Sequence, residues 1–368
     1  MKALIYRIED VLRDLVLVMD YIIYLIFNPF KFRKFPEKID KILLVELLQV
    51  GDLIVTTPVI KALREKYKEA TIDILVLREM KEVLTGNQDL NRLIPYEKNF
   101  FNLIREIRKE KYNLGVILHP GSFIISLVLL LSEVKYRIGS AKSGIFYGKG
   151  FFLNKKIKPN LKIQHKIEDN LDIIRQIGID SKNKNPEIFI TKESEANAKD
   201  FLVKNEIERF IVIHPGANFK THEWPTERYA ELADRIIKNY KISVVFTGSR
   251  KDSILVNNIL RFMDNKAYAF LGKTIKDFFS IIKNSELVIS VDTSASHVAA
   301  AFNKQVITLF GASNPDVWHP YSKKGNVIYK NEKCTNCNKN FCFRIGERKQ
   351  ECMKTITVKD VLNEVKLI

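Results

Sequence analysis

The sequence predicts an α/β protein of two doubly wound domains with parallel sheets, preceded by an N-terminal amphipathic helix. Short apolar runs alternate with segments of helical spacing in two series along the chain. Strands separated by helices pair in parallel through right-handed crossovers. A polar stretch over residues 180–192 separates the two series. We therefore expect an N-terminal extension over 1–36, a first domain over 37–186 and a second over 187–368.

Each element is predicted from its own pattern, taken in chain order. Apolar runs predict the strands of the first series at 41–47, 71–77 and 114–118. Helical spacing, or a strongly apolar segment, predicts its helices at 53–68, 100–109 and 122–132. The second series has predicted strands at 210–213, 243–247, 267–271, 287–291 and 306–310. Its predicted helices lie at 226–239, 251–262, 275–283, 295–302 and 358–365.

Composition and charge restrict the class of protein. The chain has 368 residues, is 46% hydrophobic and carries a net charge of +17, which excludes a disordered chain. The positive excess predicts an acidic partner, either nucleic acid, an anionic membrane surface or a phosphorylated substrate. The alternative is charge spread over solvated faces. All 4 cysteines lie within residues 334–352, which suits a reducing compartment rather than a disulfide-built secreted protein.

The N-terminal extension has a mixed apolar and charged pattern. Arg13, Asp14 and Asp20 interrupt the apolar run, and the uninterrupted stretch over 21–27 is too short to span a bilayer. The extension also lacks the cleavage site and basic start of a signal peptide. We interpret it as a helix lying in the membrane interface, with the basic and aromatic residues 31–35 at the headgroups. The alternative is a helix packed on the protein's own core or on a second subunit.

Ligands of open parallel sheets bind beyond the carboxyl ends of the strands, so the loops that follow strands are where function is expected. The first such loop contains Gly51 and Asp52, with Thr56 and Thr57 on the following helix. Gly51 permits a tight turn, and Asp52 either caps the helix or acts as a general base.

Two later loops offer groups that suit anions. The segment 214–225 contains Gly216 and Lys220. Gly216 leaves backbone N–H groups free to face an anion, and Lys220 adds positive charge. These features suit a diphosphate, and the alternative is an ordinary long loop. The segment 290–301 places Asp292 and His297 where a helix begins, and the alternative is a capping Asp and a buried structural His.

Together the three loops resemble glycosyltransferase family 9, the ADP-heptose:lipopolysaccharide heptosyltransferases. The resemblance runs from about residue 41 to the C-terminus. It is carried by Gly51-Asp52 with Thr56-Thr57-Pro58, His214-Pro215-Gly216-Ala217 with Trp224-Pro225, Leu271-Gly272-Lys273-Thr274, Asp292-Thr293 with His297, and Phe310-Gly311-Ala312 with Asn314-Pro315.

The resemblance implies a GT-B fold, in which two Rossmann-like domains face across a cleft. It implies inverting, metal-independent transfer of heptose from ADP-heptose to the lipid-anchored lipopolysaccharide core, with no cofactor. A nucleic-acid partner is not expected, because the sequence has no aromatic-basic RNA motif or recognition helix. The enzyme would work on the cytoplasmic face of the inner membrane. Asp52 would be the general base, with Gly51, Thr56 and Thr57 on the acceptor side. Donor binding would fall to Gly216, Lys220, His222, Gly248, Thr274, Asp292, Thr293, Ser294 and His297.

The sequence departs from the family's pattern at three places. Glu46 stands where the family usually has Arg, His222 where it has Lys, and Ser294 where it has Gly. Lys220 would then supply the charge lost at His222, and Ser294 fits only if the backbone does not need a positive φ. These departures keep open a GT-B transferase that uses another nucleotide sugar, and a non-catalytic membrane-associated binding protein.

Two further features remain open. Cys334, Cys337, Cys342 and Cys352 have a spacing that would suit a structural zinc, and the alternative is reduced thiols or local disulfides. From charge alone, we expect four basic residues of the first domain to contact the acceptor. They are Lys135, Arg137, Lys142 and Lys149.

Overall fold

The computed structural model describes residues 34–96, 99–140, 150, 152–157, 163–330 and 337–366. The chain divides into two compact units, Met1–Lys184 and Asn185–Ile368. The predicted interfacial helix falls on residues before 34 and lies outside the described residues. No helix within the described ranges is long and apolar enough to cross a bilayer.

Unit 1 is a parallel sheet with helices. Its strands are β1 (Lys41–Glu46), β2 (Thr71–Leu77), β3 (Arg92–Tyr96), β4 (Leu114–Ile117), β5 (Tyr136–Ser140) and β6 (Lys155–Ile157). Its helices are α1 (Val50–Lys66), α2 (Lys81–Leu84), α3 (Phe100–Glu110), α4 (Phe123–Leu131) and α5 (Lys166–Arg175). The strand order is β3-β2-β1-β4-β5-β6, with every described pair parallel.

Unit 2 repeats this architecture. Its strands are β7 (Phe210–His214), β8 (Ser243–Gly248), β9 (Tyr268–Leu271), β10 (Leu287–Val291), β11 (Gln305–Phe310) and β12 (Gly325–Tyr329). Its helices are α6 (Lys192–Lys204), α7 (Thr226–Tyr240), α8 (Ser253–Phe262), α9 (Ile275–Asn284), α10 (Ser294–Ala301), α11 (Pro315–Trp318), α12 (Glu351–Lys354) and α13 (Val358–Glu364). The strand order is β12-β11-β10-β7-β8-β9, again parallel throughout the described pairs. The predicted α/β fold class is therefore confirmed.

The central strands are continuous apolar runs because helices cover both faces of each sheet. In β1, the five residues after Lys41 are all buried. In unit 2 the core continues into the C-terminal segment, where the Trp224 indole N–H donates to the Ile356 carbonyl at 2.9 Å. This bond ties the C-terminal segment to the chain just before α7.

Strand β5 differs from what the sequence suggests. No strand is predicted for this segment, which carries Arg137, a residue that is only 2% exposed. Its guanidinium donates to the carbonyls of Phe152 at 2.8 Å and Val134 at 2.7 Å. The prediction that Arg137 contacts an acceptor is therefore wrong, since the guanidinium is used inside the unit. Lys135 is exposed, and Lys142 and Lys149 lie outside the described residues.

Helix α1 contains a proline within its length, at Pro58. Proline has no N–H, so the carbonyl of Ile54, four residues earlier, loses its helical partner. The Thr57 hydroxyl donates to that carbonyl at 2.7 Å. Thr57 is buried, so its hydroxyl satisfies a group that water would not reach.

We predict that Thr57→Val destabilises the fold by about 1–3 kcal/mol, because it leaves the buried Ile54 carbonyl unpaired. Urea denaturation measures the change in the free energy of unfolding. In a Pro58→Ala background the backbone N–H returns, and the same Thr57→Val change should cost clearly less. Equal costs in the two backgrounds would show that the hydroxyl does not serve this carbonyl.

Candidate active site

Each sheet has one pair of neighbouring strands at which the chain reverses its direction of winding. In unit 1 the pair is β1 and β4, and in unit 2 it is β7 and β10. Loops that leave such a pair diverge, and the crevice between them is where ligands of this fold class bind. The three motifs singled out in the sequence follow β1, β7 and β10. The topology therefore places all three at these two switch points.

Asp52 lies in the first turn of α1, directly after the β1 loop. The helix begins at Val50, three residues earlier than predicted, and Asp52 and Gly51 are half-buried. A carboxylate in a first turn is stabilised by the positive end of the helix dipole. The backbone carbonyl of Asp52 accepts a hydrogen bond from the Thr56 hydroxyl at 2.9 Å. Thr56 and Thr57 thus shape the helix that carries Asp52, and contact between them and an acceptor stays a prediction.

Glu46, the last residue of β1, is a buried acid beside Asp52. It is 2% exposed, and its Oε2 lies 3.5 Å from the Thr56 hydroxyl. Burial raises the pKa of the Glu46 carboxyl well above its usual range, and the negative charge of Asp52 raises it further. The positive charge of Lys166 acts to lower the pKa of Glu46. The residue that departs from the family's first motif is therefore part of the environment of Asp52.

Lys166, the first residue of α5, is the cation in this environment. It is 3% exposed, and its ammonium contacts the Nδ1 atom of His119 in the loop after β4. Burial lowers the pKa of Lys166 to about 8, although Asp52, Asp169 and Glu46 all favour its charged form. Lys166 and His119 were not identified from the sequence.

Asn170 joins the two loops of the unit 1 switch point. Its side-chain oxygen accepts a hydrogen bond from the His119 backbone N–H at 3.2 Å. Its amide nitrogen lies 3.5 Å from the Thr56 hydroxyl on α1. Helix α5 therefore connects the β4 loop to the helix that carries Asp52.

A signal for α5 is present in the sequence. Ile167, Leu171 and Ile174 recur at helical spacing, and Lys166 and Asn170 are four residues apart on the adjoining face. All five are buried. A lysine at a helical position that faces the core is unusual and is a reason to look for a buried charged partner.

In unit 2, Asp292 follows β10 at the switch point. Burial raises the pKa of the Asp292 carboxyl, while the Ser313 hydroxyl and the charge of His222 favour its ionised form. Two residues predicted for the donor site from separate loops, His222 and Asp292, are thus close enough to interact.

Polar side chains form a row across neighbouring strands of this sheet. Ser290 pairs with His214 on one side and with Thr308 on the other. The His214 ring nitrogen Nδ1 lies 3.0 Å from the Thr247 hydroxyl, and burial lowers the pKa of His214 to about 4, so the ring is neutral at neutral pH. The hydroxyls of Ser290, Thr308 and Thr293 have no hydrogen-bond partner among the described residues.

Gly216 and Gly248 are both packed against Asp252. A Cβ atom on Gly216 would lie 2.7 Å from the Asp252 carboxyl, and one on Gly248 would lie 2.8 Å from its Cβ. That carboxylate accepts hydrogen bonds from the backbone N–H and hydroxyl of Ser249, both at 2.7 Å. The two glycines therefore make room for an acidic side chain that the sequence did not single out.

The other predicted donor residues have varied surroundings. Lys220 is exposed at the start of a 3₁₀ turn, whereas His297 is buried in α10 with its ring 6.2 Å from that of Trp318. The Thr274 hydroxyl caps α9 by accepting a bond from the Asp277 N–H at 3.1 Å. Ser294 is the first residue of α10, so its backbone is helical and a glycine is not required there.

The cysteine cluster is only partly described. Cys337 is exposed, Cys342 half-buried and Cys352 buried, while Cys334 lies outside the described residues. No group of His, Cys, Asp and Glu within the described ranges is arranged to hold a metal ion. A zinc site that includes Cys334 stays a prediction.

The model of glycosyltransferase family 9 (heptosyltransferase) matches residues 100–344, about two thirds of the chain. The chain belongs to glycosyltransferase family 9. It is 27% identical over 289 residues to a lipopolysaccharide heptosyltransferase 3 of Escherichia coli, covering 74% of this chain and 84% of that one.

Solved structures agree on the fold. A family 9 glycosyltransferase from Veillonella parvula has a TM-score of 0.79 at 22% identity, covering 89% of this chain and 97% of that one. The E. coli ADP-heptose LPS heptosyltransferase II has a TM-score of 0.73 at 23% identity, covering 88% and 97%. The family 9 chain is therefore a glycosyltransferase with a GT-B-like fold.

The raised pKa of Glu46 predicts a dependence of stability on pH. Above the ordinary pKa of 4.5, the folded chain still holds a proton that the unfolded chain has released. The free energy of unfolding therefore falls as pH rises through this window, by up to about 1.4 kcal/mol per pH unit. Glu46→Gln removes the titrating group, so its stability relative to wild type should rise between pH 5 and pH 7.

Urea denaturation at several pH values measures this difference. The matched control is Glu65→Gln, which makes the same change at an exposed position on α1. Its stability relative to wild type should stay flat. A flat difference for Glu46→Gln as well would contradict the raised pKa.

Proposed function

We propose that this family 9 chain is an inverting glycosyltransferase that moves heptose from ADP-heptose to the lipopolysaccharide inner core, with Asp52 as general base. The observation that carries the proposal is the position of Asp52, half-buried at the unit 1 switch point in the first turn of α1. A carboxylate at such a crevice is placed to accept a proton from a bound hydroxyl.

In this mechanism the acceptor oxygen attacks the anomeric carbon of the heptose. The acceptor's proton passes to Asp52 as the new C–O bond forms, and the bond to the phosphate oxygen breaks on the opposite face. ADP leaves as an anion, so donors and positive charge stabilise it and no acid is required. A single displacement of this kind inverts the configuration at the anomeric carbon.

Unit 2 is the proposed donor-binding unit. Helix α10 begins at Ser294 beside Asp292, and the backbone N–H groups of a helix N-terminus are suited to a diphosphate. Lys220 supplies positive charge on the neighbouring loop, where His222 also lies. Support for ADP-heptose as the donor comes from the family and from the E. coli enzyme of similar fold, whose name specifies that donor.

The proposed acceptor is lipid-anchored and anionic, which agrees with the chain's net charge of +17. We propose that the enzyme meets it at the cytoplasmic face of the inner membrane as a peripheral protein. Peripheral binding is assigned to the N-terminal extension, on the pattern of its sequence.

His222, which stands where the family usually has Lys, favours one second candidate, a transferase that uses another nucleotide sugar. Thermal denaturation with ADP, UDP, GDP and CDP separates the two. A nucleotide at about 100 times its dissociation constant stabilises the folded state by roughly 2.7 kcal/mol. Stabilisation by ADP alone supports ADP-heptose, and preference for another nucleotide supports the alternative.

We predict that Asp52→Asn lowers the rate of heptose transfer by about 10²–10⁴-fold, the usual contribution of a general base. The assay is ADP release from ADP-heptose in the presence of a lipopolysaccharide core acceptor. Stabilisation by ADP should be unchanged, since Asp52 belongs to unit 1 and the donor is assigned to unit 2. Turnover at the wild-type rate would rule out Asp52 as the base.

A further inference from the structure

The buried charges around Asp52 include groups that the proposed reaction does not use. Glu46 ends β1, Asp52 lies in the first turn of α1, and Lys166 and Asp169 lie in the first turn of α5. His119 approaches from the loop after β4 and contacts Lys166. Within the described ranges, these charged and titratable groups act on Lys166 or contact it.

Lys166 is buried among these groups, although removing its ammonium from water costs free energy. Moving a lysine out of water costs several kcal/mol unless charges or hydrogen bonds compensate. With only 3% of the residue exposed, little of that compensation can come from water. Carboxyl groups favour the charged form of the lysine, Asp52 most strongly, and the ammonium also contacts His119.

The cluster is also fixed in position. Asn170 binds the backbone of His119 at 3.2 Å and lies 3.5 Å from Thr56, whose hydroxyl binds the Asp52 carbonyl. Helix α5 packs directly on α1. The lysine therefore presents a positive charge to α1 from a scaffold that also holds the backbone of Asp52.

A purely structural role explains less of this arrangement. Buried ion pairs are often replaceable by apolar side chains with no loss of stability. Here two acids from other elements, Glu46 and Asp52, converge on it, and burial disfavours the ionised form of Glu46. The positive charge of Lys166 is therefore stabilised chiefly by the carboxyl groups of Asp52 and of Asp169, which lies on the same helix as Lys166.

We propose that Lys166 is a positioning residue that keeps Asp52 ionised and oriented at the unit 1 switch point. The inference rests on the proposed function of Asp52 as a base. In that role Lys166 transfers no proton. The acceptor's proton moves to Asp52, and Lys166 keeps Asp52 free of protons before that step.

The test measures the ionisation of Asp52 directly, without turnover. The full chain is labelled with ¹³C at the aspartate side-chain carboxyl carbons and titrated by NMR, and Asp52→Asn assigns the Asp52 signal. In Lys166→Met the midpoint of this signal should move to a pH at least about one unit higher, because an adjacent opposite charge lowers a carboxyl pKa by roughly 1–3 units.

Two variants control for packing and for general charge. Lys166→Arg keeps the positive charge, and its Asp52 midpoint should stay near the wild-type value. Lys109→Met makes the same charge change at an exposed position on α3 and should have no effect on the midpoint. An unmoved midpoint in Lys166→Met, or equal movement in the Met and Arg variants, overturns the proposal. If Lys166→Met does not fold, a midpoint in Lys166→Arg that moves upward by a full unit overturns it.

Transfer kinetics separate this inference from the proposed function. In Lys166→Met the acid limb of the kcat/KM profile should move to higher pH by the same interval as the NMR midpoint. If the NMR midpoint moves but the wild-type chain transfers no heptose, the proposed function fails and the positioning of Asp52 stands. If transfer occurs but neither the midpoint nor the acid limb moves, the positioning inference alone fails.

Discussion

The burial of ionisable groups at the end of β1 is the constraint on which the unit 1 site depends. Glu46 and Lys166 are each at most 3% exposed, so these groups act in a medium of low effective dielectric. In such a medium a neighbouring charge decides the ionisation of a carboxyl far more strongly than it would in water. The state of Asp52 therefore depends on how α1, α5 and the β4 loop pack, and this packing is a property of the core rather than of the surface.

In the proposed mechanism, the same architecture serves two different chemical tasks in the two units. Both sheets have the same parallel order and reverse their winding between two central strands. In unit 1 the loops at this point carry charged groups suited to proton transfer. In unit 2 they lead into the N-terminus of α10, whose backbone N–H groups are suited to a diphosphate, and carry Lys220, which adds positive charge. The proposed difference in role between the two units follows from the side chains that these loops carry.

The sequence predicted the fold well where an element can be recognised from the pattern of its own residues. Buried central strands such as β1, β2 and β10 are short apolar runs, and their positions were predicted to within a residue. Strand β5 was missed because Arg137 interrupts its pattern, and its burial depends on carbonyls from other segments. Asp52 was found because it follows a strand directly. Helix α5 was not predicted, although its apolar spacing is present in the sequence. The contact of Lys166 with His119 depends on how α5 packs, which local spacing does not encode.

The most direct test of the account is the anomeric configuration of the transferred heptose. The chain is incubated with ADP-heptose and a lipopolysaccharide core acceptor, and the configuration of the new glycosidic bond is determined by NMR. A base at Asp52 that assists a single displacement requires the configuration opposite to that of the donor. A product that retains the donor's configuration would contradict the account, since it would require a covalent or internal-return mechanism in which Asp52 has a different role.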